Sequence, residues 1–153
     1  MNKEKTMAKI LVSACLMGCE CRYKGDSCRN EEILALAGEH TLIAVCPEQM
    51  GGLPTPRYPA EIQGDKIINS VGVDVTAEYQ KGAKTACYLA KLNGVELAIM
   101  KANSPSCGYG MIYDGTFSGG KVSGNGVTAA LLESNGIKVF TEDELDSLRK
   151  ELL

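Results

Sequence analysis

The stretch Lys9-Ile10-Leu11-Val12-Ser13-Ala14-Cys15-Leu16 decides the fold. Its apolar, β-branched run is too short for a helix and reads as a buried strand over residues 9–14, with a cysteine immediately past its end. The arrangement recurs twice. Leu42-Ile43-Ala44-Val45 runs into Cys46, and Leu97-Ala98-Ile99-Met100-Lys101 leads into the loop Ser104-Pro105-Ser106-Cys107-Gly108. A fourth short run, Ile137-Lys138-Val139-Phe140, closes the series. Strands that alternate with helical patterns predict an α/β fold: a single-domain, mostly parallel sheet flanked by helices, Rossmann-like in type. Such sheets bind ligands in the crevice outside the carboxyl ends of their strands. Cys15, Cys46 and Cys107, far apart in sequence, therefore share one address, which suggests a metal centre with one position left open.

The segments between the strands support this order. Asn30 can cap a helix carrying Ile33, Leu34, Leu36 and Ala37, with Gly38 placed to end it. Thr76 is read as the cap of a longer helix whose stripe is Tyr79, Ala83, Ala86, Cys87 and Ala90, stopped by Asn93-Gly94. Another helix starts near Val127 and stops at Asn135-Gly136. Thr141-Glu142-Asp143-Glu144 matches a capping box for the C-terminal helix. Residues 47–59 hold four prolines and two adjacent glycines, and are read as a fixed loop without regular structure. Ile62-Gln63-Gly64-Asp65-Lys66-Ile67 resembles a small hairpin with Gly-Asp at its turn. Residues 102–126, rich in Gly, Ser and Asn, form an unusually long excursion, which marks them for binding or catalysis. Residues 1–8 are read as a disordered lead-in and residues 9–153 as one domain.

Composition bounds the function. A chain of 153 residues fits one domain with a core of its own, and 44% hydrophobic with 23% charged residues is ordinary for a globular protein. A net charge of −3, with no Lys/Arg block, argues against nucleic acid as the main partner. No apolar run is long enough to span a membrane, and the polar start lacks a signal-peptide stretch, which together predict a cytoplasmic protein. In a reducing compartment seven cysteines point to metal binding, catalysis or burial instead of a disulfide scaffold.

The lone histidine, His40, sits at a helix-to-strand junction and reads as structural or solvent-exposed. Cysteine–histidine and serine–histidine catalysis are therefore poorly supported, and acid–base work falls to carboxylates, hydroxyls or a metal-bound water. Cys15, Cys19 and Cys21 form a C-x₃-C-x-C cluster, with Cys28 further on. Its spacing matches neither the C-x₂-C pairs of structural zinc sites nor the bacterial ferredoxin run. Residue pattern alone leaves two readings open: a metal site shared by the dispersed cysteines, and thiols packed in turns. A local site on Cys15, Cys19 and Cys21, in a zinc or iron-sulfur module without catalysis, and a metal-free sulfur carrier remain further alternatives. Cys87, on the helical stripe, reads as core. Arg22, Tyr23, Arg57 and Tyr58 lie in the same loops and can line a pocket for a planar heterocycle through stacking or hydrogen bonds.

Several ordered motifs carry a more specific resemblance. They are Ile10-Leu11-Val12-Ser13-Ala14-Cys15-Leu16, the step Cys21-Arg22-Tyr23, and Val45-Cys46-Pro47-Glu48-Gln49 with Gly51-Gly52-Leu53-Pro54-Thr55-Pro56-Arg57. Lys101 with Ser104-Pro105-Ser106-Cys107-Gly108, and Tyr113-Asp114-Gly115-Thr116-Phe117-Ser118-Gly119, complete the set. Together they resemble the bacterial family that includes the thiouracil desulfidases, from about Lys9 to the last strand. The resemblance implies a 4Fe-4S cluster held by Cys15, Cys46 and Cys107, with a fourth iron that has no protein ligand. It further implies Glu48 as the acid/base group, Ser104 as a substrate-positioning group, and a small thiolated heterocycle such as 2-thiouracil as the partner. The expected activity is an iron-sulfur-dependent desulfidase that replaces sulfur by oxygen and releases hydrosulfide. One departure stands out: Lys24 follows Arg22-Tyr23 where an acidic residue is common in the family.

Overall fold

Alternation along the first strand places the two halves of the core. The computed structural model describes residues 7–153. In β1 (Lys9–Ser13) Ile10 and Val12 point to one face and Leu11 to the other, and all three are fully buried. This is the signature of a parallel sheet covered on both sides. The chain continues through a 3₁₀ turn (Ala14–Met17) to α1 (Glu31–Ala35), β2 (Thr41–Val45), α2 (Pro47–Met50), the hairpin β3 (Ala60–Gln63) and β4 (Lys66–Asn69), and α3 (Thr76–Leu92). Then follow β5 (Leu97–Met100), the hairpin β6 (Met111–Tyr113) and β7 (Lys121–Ser123), α4 (Val127–Ser134), β8 (Lys138–Thr141) and α5 (Leu145–Glu151).

The main sheet has the order β2-β1-β5-β8, all neighbours parallel. Helices α3 and α4 cover one face, where Ala86, Ala90, Ala129 and Leu132 pack with Leu11 and Ala98. Helices α1 and α5 cover the other, where Ile33, Leu145 and Leu148 pack with Ile10, Val12 and Ile99. The expected α/β fold, one domain with a parallel sheet between helices, is what forms. From β1 the chain crosses to β2 on one side, and from β5 it crosses to β8 on the other. The neighbours β1 and β5 therefore flank a topological switch point, the position at which open α/β sheets leave a crevice.

Local signals behave as their chemistry dictates. The Asn30 side chain accepts from the Ile33 N–H, and Thr141 with Glu144 forms a reciprocal capping box that launches a 3₁₀ turn (Glu142–Glu144) ahead of α5. Gly64 and Asp65 turn the β3–β4 hairpin. His40 is buried, and its Nδ1 accepts the Ala8 N–H, so its role is structural. Ala8 also accepts from Thr41, and residues 1–6 of the expected lead-in lie outside the described residues. Cys87 is buried in the α3 face of the core.

Three expectations need correction. Thr76 is the first residue of α3, not its cap; the Asp74 carboxylate accepts from both the N–H and the hydroxyl of Thr76, which in turn accepts from Ile67. Residues 102–126 contain the β6–β7 hairpin, whose outer strand is exposed at every residue and so shows no apolar alternation. Residues 47–59 are not wholly irregular, because Pro47 opens α2 at a position where a missing N–H costs nothing. That short helix is clamped on α3 by two glycines: a Cβ on Gly82 would meet the Pro47 carbonyl oxygen at 1.7 Å, and one on Gly51 would meet that of Glu78 at 1.9 Å. Only glycine permits this approach, and it sets Glu48 beside Tyr79.

Candidate active site

Loops after β1, β2 and β5 rise around the switch point and enclose a cavity of about 360 Å³, within the range of small-molecule sites. Cys15, Cys46 and Cys107 all line it. So do Glu48 and Ser104, and so do Arg22, Tyr23 and Arg57. The structure thus brings every site residue expected from the sequence into one place. Cys15 sits in the 3₁₀ turn directly after β1, Cys46 is the N-cap of α2 directly after β2, and Cys107 lies in the turn after β5.

The Ser104 hydroxyl shapes that last turn. Its oxygen accepts from the N–H groups of Ser106 and Cys107, both at 3.0 Å, and its own O–H remains available as a donor. Ser13, at the end of β1, accepts from the Lys101 N–H at 2.9 Å and ties the ends of β1 and β5 together beneath Cys107.

Glu48 is held by two partners. Tyr79 donates its hydroxyl to Oε1 at 2.8 Å, and the Arg57 guanidinium donates to Oε2 through Nε at 2.9 Å and through Nη2. The pair is secluded, with side-chain exposures of 6% for Arg57 and 15% for Glu48. Arg57 also donates to the carbonyls of Cys21 and Pro54 and to the Thr55 hydroxyl. With its donors committed in this way, Arg57 is a brace for Glu48 and for the loop around Cys21. Burial, followed by the adjacent Glu48 charge, pushes the Tyr79 phenol far above its ordinary range, so it stays a donor. Arg22 pairs instead with Asp26 at 3.0 Å and lies over the Tyr23 ring.

Tyr79 was hidden in the sequence, where it reads as one more apolar position of a helical stripe. Its only visible signal is a phenol among alanines. Replacing it with phenylalanine removes one of two restraints on Glu48 without altering packing. With Glu48 as the acid/base group that the family resemblance implies, turnover should fall about tenfold, with KM less affected, as for loss of one hydrogen bond to a charged group. Steady-state kinetics of Tyr79→Phe check this, and an unchanged kcat would show that Arg57 alone suffices.

The thiols have the chemistry of a metal donor set. Cys21 stands between Cys15 and Cys46; the hydrogen bond its thiol donates to Cys15, together with burial, raises its pKa to about 11. Burial pushes Cys107 up to about 12, and the contact with Cys21 and then burial raise Cys46 as well. A metal-free sulfur carrier needs a thiol of depressed pKa, and these are the reverse. Thiols buried together in this way become thiolates when a cationic centre compensates their charge. Cys19 is exposed and does not line the cavity. Among the described residues no three His, Cys, Asp or Glu side chains converge closely enough to hold a single metal ion. The cysteines of a cluster bind different irons, so they need a wider spacing than the ligands of one ion.

The family model for 2-thiouracil desulfurase matches residues 10–144. The chain belongs to the 2-thiouracil desulfurase family. As a family member it is a thiouracil desulfidase-like enzyme. It is 48% identical over 150 residues to the uncharacterized protein YbbK of Bacillus subtilis (strain 168), a match covering 91% of this chain and 99% of that one. The solved structure of TudS, a [4Fe-4S]-dependent thiouracil desulfidase, superposes with a TM-score of 0.88 at 46% identity. That match covers 95% of this desulfurase-family chain and 97% of TudS. Among the described residues no helix is long and apolar enough to cross a membrane.

Proposed function

We propose that the chain hydrolyses the carbon–sulfur bond of a thiolated nucleobase of the 2-thiouracil type, yielding the carbonyl product and hydrosulfide. The observation that carries this reading is the placement of Glu48: a carboxylate braced by Tyr79 and Arg57, on the wall of the cavity that Cys15, Cys46 and Cys107 also line. The family membership and the likeness to TudS support the substrate class.

A 4Fe-4S cluster held by Cys15, Cys46 and Cys107 would supply an iron without a protein ligand, a Lewis acid for the thiocarbonyl sulfur. The chain's own groups do the rest. Oε2 of Glu48 accepts twice from Arg57, but Oε1 keeps lone-pair capacity beyond Tyr79, so the carboxylate can orient a water through Oε1 and take its proton as the oxygen attacks the thiocarbonyl carbon. Ser104 donates its O–H to the ring or to the charge that develops on it. As the carbonyl forms, the carbon–sulfur bond breaks and sulfur leaves with the electron pair as hydrosulfide. Water supplies the oxygen and two protons, one of which leaves on the hydrosulfide while the other is released to solvent, and no net electron transfer occurs. Arg22 and Tyr23 lie on the cavity wall and face the incoming heterocycle, while Arg57 acts through Glu48.

Turnover of 2-thiouracil in ¹⁸O-labelled water tests this reading. Cluster-loaded protein should give one ¹⁸O-labelled uracil for each sulfide released. Uracil without the label would overturn the hydrolytic step, and absence of sulfide would overturn the desulfidase reading.

A further inference from the structure

The chain has six tyrosines and two phenylalanines, and it gathers Tyr23, Tyr58, Tyr79, Tyr113 and Phe117 around the cavity. Four of the five have evident other roles or surroundings. Tyr79 holds Glu48, Tyr23 lies beneath Arg22 and Lys24, Tyr113 lies beneath Lys121, and Tyr58 is largely exposed. Phe117 remains. It is 38% exposed and belongs to none of the apolar clusters among the described residues. Its φ of 56° lies in the left-handed region, which a bulky residue keeps only where its surroundings over-determine it.

Those surroundings are specific. Glu61, a carboxylate only 8% exposed, accepts through Oε1 from the Gly115 N–H at 2.9 Å and from the Phe117 N–H at 3.2 Å. Gln63 donates to the Gly115 carbonyl at 2.7 Å, and Asp114 accepts from the N–H and hydroxyl of Thr116. Glu61 and Gln63 belong to β3, so the β3–β4 hairpin fastens this loop to the rim of the cavity. A buried carboxylate devoted to two backbone N–H groups, and a left-handed backbone that presents an aromatic ring at the cavity wall, go beyond what loop packing requires. They make sense as a fixed aromatic surface.

We propose that Phe117, held in place by Glu61, is the stacking wall against which the planar heterocycle lies, and that Glu61 is its positioning residue. The inference rests on the desulfidase reading for the identity of the heterocycle. Stacking of a base on an aromatic ring accounts for about a tenfold change in binding. Phe117→Ala should raise KM for 2-thiouracil about tenfold with a smaller effect on kcat, and Phe117→Tyr should restore it.

The sequence contains no tryptophan, so Phe117→Trp gives a single fluorescent reporter at the wall. Its emission should be quenched on titration with 2-thiouracil or with uracil, whether or not sulfide is released. Emission unmoved by saturating 2-thiouracil, or a KM changed by less than about twofold in Phe117→Ala, overturns the stacking wall. Wild-type protein that releases no sulfide while the Phe117→Trp reporter is quenched leaves the wall standing and removes the desulfidase reading instead. Glu61→Ala should raise KM like Phe117→Ala and add nothing in the double variant. Additive effects would show that Glu61 acts elsewhere.

Discussion

Glu48→Gln lowers turnover of 2-thiouracil about 10²- to 10⁴-fold, the range over which a positioned general base contributes, while iron and sulfide content per protomer stay at the wild-type level. Glutamine keeps the size of the side chain and an oxygen that accepts from Tyr79, so α2 should remain seated on α3. What it loses is the charge that takes a proton from water and balances Arg57. Arg57 is nearly buried, and breaking a buried ion pair by removing one partner is strongly destabilising, by about 3–5 kcal/mol where nothing compensates. Here the carbonyls of Cys21 and Pro54 and the Thr55 hydroxyl still receive its N–H groups, so the loss should be smaller. Cluster content measured beside kcat separates chemistry from folding. Turnover within about twofold of wild type would take Glu48 out of the mechanism.

Alanine at Cys15, Cys46 or Cys107 should abolish cluster binding, whereas alanine at Cys19 should leave it intact. The three residues line one cavity from three different strand ends, and Cys19 stands exposed outside it. The expected readout is the loss of nearly all iron, and of the absorbance that accompanies it, after anaerobic reconstitution of each of the three variants. Cys21 gives the sharper comparison because it lies in the cavity with its thiol between those of Cys15 and Cys46. With three ligands, Cys21→Ala still binds a full cluster. If iron is lost from Cys21→Ala and kept in one of the other three variants, the ligand set has been misassigned.

Much of this was legible in the sequence, for a physical reason. A buried parallel strand must be continuously apolar, so its end is sharply marked, and the residues just past it occupy a known place in the fold. Cys15, Cys46 and Cys107 could be placed together without any contact information. The β6–β7 hairpin could not be seen, because three-residue strands with an exposed outer edge leave no periodic trace. Tyr79 was invisible for the opposite reason: it lies on a helical face that is in fact buried, and only the glycine-mediated contact of α2 with α3 turns its hydroxyl into a ligand of Glu48. Arg57 reads as a pocket-lining cation until the fold gives it a carboxylate and three further acceptors. Long-range partnerships of this kind are set by helix packing, which a local pattern does not encode.

The central claim is that the cavity carries out cluster-dependent removal of sulfur from a thiolated nucleobase. The most direct measurement is sulfide release from 2-thiouracil by the same preparation before and after anaerobic cluster reconstitution. Sulfide and uracil should appear in equal amounts, and only from the reconstituted protein. Reconstituted protein with a full complement of iron that releases no sulfide, or equal release without the cluster, would contradict the account.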